Sequence, residues 1–524
     1  MDLLTLILTL LTALVLCYFY VRKLGKFEKF GIIHTKPLRA FVNMARLLLK
    51  RSSLTEVIGE SYDLDKQAEY VGHYDFGNPV ILIRSPELIK SILVKNFDHF
   101  VDHRSFLDVD TDPMFSGNLF SLRGEKWKEM RNLLSPAFTG SKMKSMFKLM
   151  SKCGENFANY LAENSKDGAN VLNMKDAFAR YTNDVIATCA FGIAVDSMRN
   201  PKNDFYVLGK KATKFDGLRV FKFVLMTSFP RVAKLFKVKM LDAHTEKFFE
   251  GVVRETIEKR DRDGITRPDM IQLMMETRGK KSVGSPELTI LDMTAQAFIL
   301  FFGGFDTSST AMSFAAMEIA VNEDVQKRLI DEIDAVLETN GDPTYEAVNG
   351  MEYLDAVINE TLRLYPVIPF LDRQCVKRFE LPPALPGGKS VVIEPGQIVW
   401  CPMYSIHRDP KYHEEPNKFD PERFIGSRKN DIEPFSYLPF GQGPRMCIGN
   451  RFALLETKVA IFHVLSKCYV KPCSKTISPI KISKSSFAML PEGGYWLQLE
   501  SRNTNDGKNL KLHGLSANCG WKKS

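Results

Sequence analysis

The hydrophobic pattern of this chain is mainly helical, and three stretches stand out from it. Leu3 to Val21 holds no charged residue, and at about 1.5 Å of rise per residue it reaches roughly the thickness of a bilayer's hydrocarbon. Arg22, Lys23, Lys26 and Lys29 follow it, while only Met1 and Asp2 precede it. The positive-inside rule therefore predicts one uncleaved anchor with the rest of the chain in the cytosol. A cleaved signal peptide is the competing reading, opposed by the acidic start and by the lack of a small-x-small site. The second stretch is Pro286 to Asn322. Ser285 suits an N-cap, Pro286 the first helical position and Glu287 the first turn, so a long helix is expected. Ala297 to Phe305 carries no charge, which predicts burial on all sides and a central place for this helix. Gly303 and Gly304 lie inside it at a cost of about 1 kcal/mol each relative to alanine, so something must compensate. The third stretch is the glycine-rich loop Phe440 to Gly449, FGQGPRMCIG.

The remaining elements fall between these. Tyr70 to Arg84 is β-prone and broken at Gly77, Asn78 and Pro79, which predicts a hairpin, and Pro86 begins a helix. Glu125 to Leu134 is helical and sets Trp127 and Arg131 four apart on one face. Residues 140 to 280 read as helices rich in Lys and Phe, with the strongly aromatic run FDGLRVFKFVLMTSF at 215 to 229. Met351 to Tyr365 is a helix ending at Pro366, with Glu360 and Arg363 on one face, and Val367 to Leu371 is short, apolar and extended. The polar residues beyond about Asn503 predict a disordered tail. The fold class is thus mainly α with a small β region, organised as an anchor (1–22), a linker (23–40), one folded domain (41–502) and a tail (503–524).

Composition narrows the possibilities. The chain has 524 residues, 44% hydrophobic and 25% charged, with 37 phenylalanines against 4 tryptophans, so much apolar lining is available. The net charge of +9 favours an anionic membrane or an acidic protein partner. Nucleic acid is not expected, because the basic residues form no stripe interleaved with exposed aromatics. Nine cysteines without a CxxC pair argue for reduced thiols and against zinc or a disulfide framework. No Walker loop or dinucleotide fingerprint occurs, so the chain carries no flavin or nicotinamide site of its own.

Within the third stretch, Cys447 stands between Gly443 and Gly449 with Arg445 two residues before it. Arg445 and the loop's free amides are expected to favour the thiolate, and the glycines at 443 and 449 to let the backbone turn tightly against a flat partner. The loop matches the pattern Phe-x-x-Gly-x-Arg-x-Cys-x-Gly, the haem-binding signature of the cytochrome P450 family, at every fixed position. Four further motifs follow the family's order. Gly303-Gly304-Phe305-Asp306-Thr307-Ser308 resembles its oxygen-binding motif, Trp127-x-x-x-Arg131 its propionate pair, and Glu360-x-x-Arg363 with Pro421-Glu-Arg423-Phe its structural triad. The similarity is nearest to microsomal members that include insect detoxification enzymes, and it departs from them in having only Pro37 between Arg22 and Asn78.

The resemblance implies haem b ligated by Cys447, with Trp127, Arg131, Arg373, Arg445 and Arg104 around the propionates and Phe440 and Gly449 against the ring. It gives Thr307 and Asp306 a proton relay to O2; the plain alternatives are a hydroxyl bonded back to a helix carbonyl and a salt-bridged core acid. On a helix that turns Thr307 to the iron, Ile299 and Gly303 face the same way, Phe302 sits at the edge, and Phe298 and Phe305 pack behind. Val367, Phe370, Phe487, Phe106 and Phe120 are implied as further pocket walls. Glu360, Arg363 and Arg423 brace the cysteine loop. The implied reaction inserts one oxygen atom into a lipophilic molecule, with electrons from NADPH through a membrane-bound reductase, cytochrome b5 as a further donor, and an endoplasmic reticulum location. Lys126, Lys128, Lys142 and Lys144 are candidate docking residues for that reductase. Detoxification is expected, with biosynthesis of a hormone, terpenoid or fatty acid as the alternative, and a reductase-independent isomerase or a haem-binding protein without turnover as remoter ones.

Overall fold

The computed structural model describes residues 27–104, 112–165, 170–214, 217–228, 230–267, 269–277, 288–485 and 489–502. The expected anchor, the tail, Ser285 to Glu287, Phe106 and Phe487 lie outside the described residues. The elements that position the site are, in chain order, α1 (Pro37–Leu48), α2 (Leu54–Tyr62), β1 (Tyr70–Asp75), β2 (Asn78–Ile83), α3 (Pro113–Ser116), α4 (Gly124–Leu134), α5 (Gly140–Glu163), β3 (Asn170–Asn173) and α6 (Met174–Ile186). They continue with α7 (Asp204–Thr213), α8 (Gly217–Ser228), α9 (Pro230–Leu235), α10 (Ala243–Asp263), α11 (Ile290–Val321), α12 (Glu352–Leu364), β4 (Leu371–Gln374), β5 (Phe379–Leu381), β6 (Val391–Ile393) and β7 (Ile398–Cys401). The last are α13 (Asn450–Lys467), β8 (Cys468–Pro472) and β9 (Trp496–Ser501).

The β structure is small, as expected. One sheet has the order β1-β2-β7-β4, a second β3-β9-β8, and β5 pairs with β6. In the β1–β2 hairpin Asp75 faces Asn78, so the turn residues are Phe76 and Gly77 rather than Gly77 to Pro79. Both take positive φ, 45° and 81°, the geometry of a two-residue turn that matches strand twist.

Helix α11 runs through the middle of the molecule. Its start differs from the expectation at Ser285: Thr289 accepts from the Asp292 amide while Asp292 returns to the Thr289 amide. This reciprocal box satisfies two otherwise orphaned donors at once, which decides the boundary. Beyond its first turn the helix is buried on nearly every face, and Phe298, Phe301 and Phe305 enter one aromatic core with Phe191, Phe205 and Phe249. Gly304 explains itself sterically, since a Cβ there would lie 2.2 Å from Ile186 Cδ1 of α6. A Cβ on Gly303 would meet nothing within 4 Å. One glycine serves close helix packing and the other borders open space.

Candidate active site

The chain enters the cysteine loop from buried Leu438 and leaves it into α13. Gly441 and Gly443 adopt φ of +72° and +76°, which L side chains avoid, and a Cβ on Gly443 would sit 2.0 Å from the Leu93 carbonyl oxygen. Gly449 departs from the expectation of a tight turn: its φ is −94°, and a Cβ there would make an ordinary 3.7 Å contact with Phe138. The turning is done at 441 and 443. Gly449 contributes its amide, which donates to the Cys447 sulfur. The Cys447 N–H donates to the Phe440 carbonyl at 2.9 Å and the Met446 N–H to that of Gly443 at 3.0 Å, which closes the loop around the sulfur.

Cys447 is exposed, yet burial is the largest influence on its thiol and raises its pKa, against the Gly449 amide and Arg131. Both hold because the sulfur lies deep and faces an interior space. The expectation that the loop by itself favours the thiolate, with Arg445 as the cation, is corrected on both counts. Burial wins, and the nearby cation is Arg131 of α4, whose Nη1 donates to the Met446 carbonyl at 2.9 Å.

Arg445 turns the other way. Its Nε donates to the Val101 carbonyl at 2.8 Å, its Nη2 to that of Leu122 at 2.7 Å, and it pairs with Asp102 at 3.4 Å. Its guanidinium lies 4.2 Å from the Trp127 ring centroid, so Trp127 serves it as a cation–π platform. Burial pushes the Arg445 pKa down to about 9, and the charge of neighbouring Arg373 adds to that. Arg373 is itself buried; its Nη1 donates to the Asp372 carbonyl at 2.7 Å, and its Nε has no partner. Arg445 has Asp102 as its counter-ion, but Arg373, buried beside a second guanidinium and with an orphaned donor, has room for a further anion. Asp372 does not fill the gap: against burial, His103 at 2.8 Å and the Arg104 amide at 2.7 Å hold its pKa down to about 2 and occupy its oxygens. The Arg104 guanidinium is placed on Asp75 at 2.6 Å, away from this pair. The donor set of Arg373, Arg445 and Trp127 thus fits a ligand that brings its own carboxylates.

Glu360, Arg363 and Arg423 come together as one buried group. Arg363 Nε meets Glu360 at 2.7 Å with both side chains fully buried, and Arg423 Nε lies 3.5 Å from Glu360. Arg363 also donates to the carbonyls of His407 and Pro416 at 2.7 and 2.8 Å. The link onward to the cysteine loop is His407, which sequence reasoning missed. Its Nδ1 reaches the Arg363 carbonyl at 3.1 Å and its Nε2 accepts from the Leu438 amide at 2.8 Å. Nδ1 therefore carries the proton, and burial lowers the pKa enough to keep the ring neutral. Leu438 in turn accepts from the Gly441 amide at 3.0 Å. The brace runs from Glu360 to the loop through one imidazole.

On α11, Ile299, Leu300, Phe302, Gly303, Gly304, Asp306 and Thr307 are only half buried, while Phe298, Phe301 and Phe305 are buried. At about 100° per residue these positions cover one broad side of the helix, opposite the side that Phe298, Phe301 and Phe305 bury. Thr307 Oγ1 donates to the Gly303 carbonyl, and Asp306 pairs with Lys175 at 2.9 Å, so both take the plainer arrangements in this structure. Ile299, Phe302 and Ile448, the residue after Cys447, pack against the same core cluster, and Phe115 of α3 meets Phe302 at 6.0 Å between ring centroids. Val367 and Phe440 both pack against the main hydrophobic core. Phe370 instead stacks on Trp400 at 3.9 Å, inside the small core between β sheet and α2. Phe120, 43% exposed, stacks on His103 at 4.6 Å and offers its carbonyl to Arg445.

The sequence profile of the cytochrome P450 family matches residues 55–498. The chain belongs to the cytochrome P450 family. It is 47% identical over 504 residues to cytochrome P450 9e2 of Blattella germanica, covering 91% of this chain and 94% of that one. Probable cytochrome P450 9f2 of Drosophila melanogaster is 40% identical, with coverage of 91% and 95%, and cytochrome P450 6j1 of Blattella germanica 36%, with 93% and 95%. This cytochrome P450 is accordingly a haem monooxygenase, and its own atoms fit that cofactor. The Cys447 sulfur is accessible although it lies deep, buried Arg373 keeps an orphaned donor, and a Cβ on Gly303 of α11 would meet nothing within 4 Å.

Proposed function

We propose that this protein inserts one oxygen atom of O2 into lipophilic small molecules, above all foreign ones, as the catalytic part of a membrane-bound system supplied with electrons from NADPH by a flavoprotein reductase. The overall change is substrate, O2, NADPH and a proton going to hydroxylated product, water and NADP+. The observation that carries this reading is the half-buried face of α11, where Ile299, Phe302 and Gly303 present an apolar wall while Thr307 and Asp306 add a hydroxyl and a carboxyl beside it. Thiolate-ligated haem, when bound, supplies the activation of O2.

The chain's own residues then divide the work. Cys447 is the protein ligand. Arg373, Arg445 and Trp127 orient the cofactor's carboxylates, and Arg131 holds the loop through the Met446 carbonyl. Thr307, released from the Gly303 carbonyl, would hold its hydroxyl as a donor toward the substrate space, and Asp306 beside it would pass protons inward from solvent. The aromatic wall around Phe302 and Phe115 excludes water and takes lipophilic substrates.

A membrane setting is supported by Leu3 to Val21 and by the surface of the folded part. Leu38, Leu48 and Leu49 at α1 and Phe221, Leu235 and Phe236 at α8 and α9 are exposed by 54 to 76%, as expected of faces that dip into a lipid interface. Among the described residues no helix is long and apolar enough to cross a membrane. The endoplasmic reticulum is the proposed location. Of the four docking lysines, Lys128 pairs with Glu125 and Lys144 with Glu346, so Lys126 and Lys142 carry the charge left for an acidic partner. Cytochrome b5, also acidic, fits the same face.

Product analysis of the reconstituted enzyme against terpenoids, plant phenolics, synthetic insecticides and fatty acids tests the reading. Several oxygenated xenobiotics are expected. Turnover of one endogenous terpenoid or fatty acid alone would favour the biosynthetic role, and product formed without reductase or NADPH would refute the reaction class.

A further inference from the structure

Lys175, in the first turn of α6, reaches across to α11 and is only one-fifth exposed. Its ammonium meets Asp306 Oδ1 at 2.9 Å, the Asp306 carbonyl at 2.7 Å, Ser309 Oγ at 2.8 Å and Thr310 Oγ1 at 2.6 Å. One cation thus grips the carboxylate and the backbone of the same residue. Several carbonyls of the turn it grips also accept from hydroxyls. Thr307 donates to the Gly303 carbonyl, Thr182 of α6 and Ser309 to that of Phe305, and Thr310 to that of Asp306. Hydroxyls bonded back to helix carbonyls weaken and bend a helix, so this turn depends on α6 for its shape. Gly304, closed against Ile186 of the same helix, makes that approach possible.

We propose that Lys175 is a positioning residue for proton delivery, holding the Asp306 carboxylate and carbonyl so that the acid stands beside Thr307, whose hydroxyl is held by the Gly303 carbonyl. Burial lowers the Lys175 pKa and Asp306 opposes this. The other titratable group whose field reaches Asp306 is Tyr495, ahead of β9, whose hydroxyl is already donated to the Met489 carbonyl at 3.3 Å. Lys175 is therefore the one cation that Asp306 meets among the described residues. The inference rests on the relay assigned above to Thr307 and Asp306, and its test separates the two.

The test uses full-length haem-loaded enzyme with reductase, NADPH and 7-ethoxycoumarin as probe substrate, comparing wild type with Lys175→Met, Lys175→Gln, Lys175→Arg and Asp306→Asn. Product formed per NADPH is expected to fall about tenfold in Lys175→Met, with a matching rise in hydrogen peroxide and an altered solvent deuterium isotope effect, and Lys175→Arg to recover most of it. Independently of turnover, the C–O stretch of the carbon monoxide complex should shift in Lys175→Met and in Asp306→Asn, and the double variant should shift no further than either alone. Lys175→Gln takes the place of Lys175→Met if the latter does not fold. A response to Asp306→Asn with none to the neutral Lys175 variants, or no recovery in Lys175→Arg, would overturn the role of Lys175. No response to Asp306→Asn would overturn the relay itself.

Discussion

At Gly443 one methyl group decides whether the cysteine loop can close. Alanine there would have to hold φ near +76° and place its Cβ 2.0 Å from a backbone carbonyl that has no rotamer to escape into. Gly443→Ala is expected to cost at least about 2–3 kcal/mol and most of the bound haem. Gly449→Ala should stay within about 1 kcal/mol and keep its haem. Haem content per protein and thermal unfolding of the two variants check this contrast. Cys447 stood out from its spacing in a glycine-rich loop, whereas Trp127 and Arg131 make an ordinary helical pair that only the family resemblance singled out. Arg445 was legible as part of the site but not in its direction, because it leaves the loop toward Val101 and Leu122 while Cys447 faces inward. His407 and Lys175 carried no signal, since their partners lie 44 and 131 residues away along the chain and only tertiary structure joins them.

Among the elements, α11 shows how one pair of glycines can do two jobs. Gly304→Ala would drive a Cβ into Ile186, a conflict expected to cost about 1–3 kcal/mol and to be relieved by adding Ile186→Ala. Gly303→Ala meets nothing, so it should raise helix stability by up to about 1 kcal/mol while slowing carbon monoxide binding, because the added methyl enters the open face. Denaturant unfolding and flash-photolysis rebinding measure the two effects separately. The helix itself could be read from its uncharged apolar run. Its start could not, because Ser285-Pro286-Glu287 and Thr289 with Asp292 are both plausible caps in sequence, and the reciprocal hydrogen bonds of the second emerge only on folding. The hairpin was legible in position and misread by one residue at its turn, because Phe76 gives no warning that it adopts a positive φ.

The whole molecule buries histidines that its fold keeps neutral. Burial takes His73, His413 and His463 from 6.5 to about 4. The unfolded chain therefore binds more protons below pH 6.5, and stability that is complete above that value is lost as pH falls toward 4, by about 1.4 kcal/mol per unit for each such group. The histidine contribution to the urea midpoint should be flat from pH 8 to 7 and decline from 6.5 to 4, offset in part below about pH 6 by Asp184, whose carboxyl pKa burial raises to about 6. On the surface, charge reversal at Lys126 and Lys142 should lower reductase-supported turnover and flatten its salt dependence, and reversal at Lys128 or Lys144 should do so less, since those two already have acidic partners. Unchanged turnover and salt dependence would remove this face as the docking site. All these expectations depend on Cys447 being the ligand that holds the haem in a mainly helical oxygenase. The most direct measurement is the absorption spectrum of the reduced, carbon monoxide-bound protein beside that of Cys447→Ala. A strongly red-shifted Soret band in the wild type that vanishes in the variant is the predicted result; an unshifted band in the wild type, or the same shifted band in both, would contradict the account.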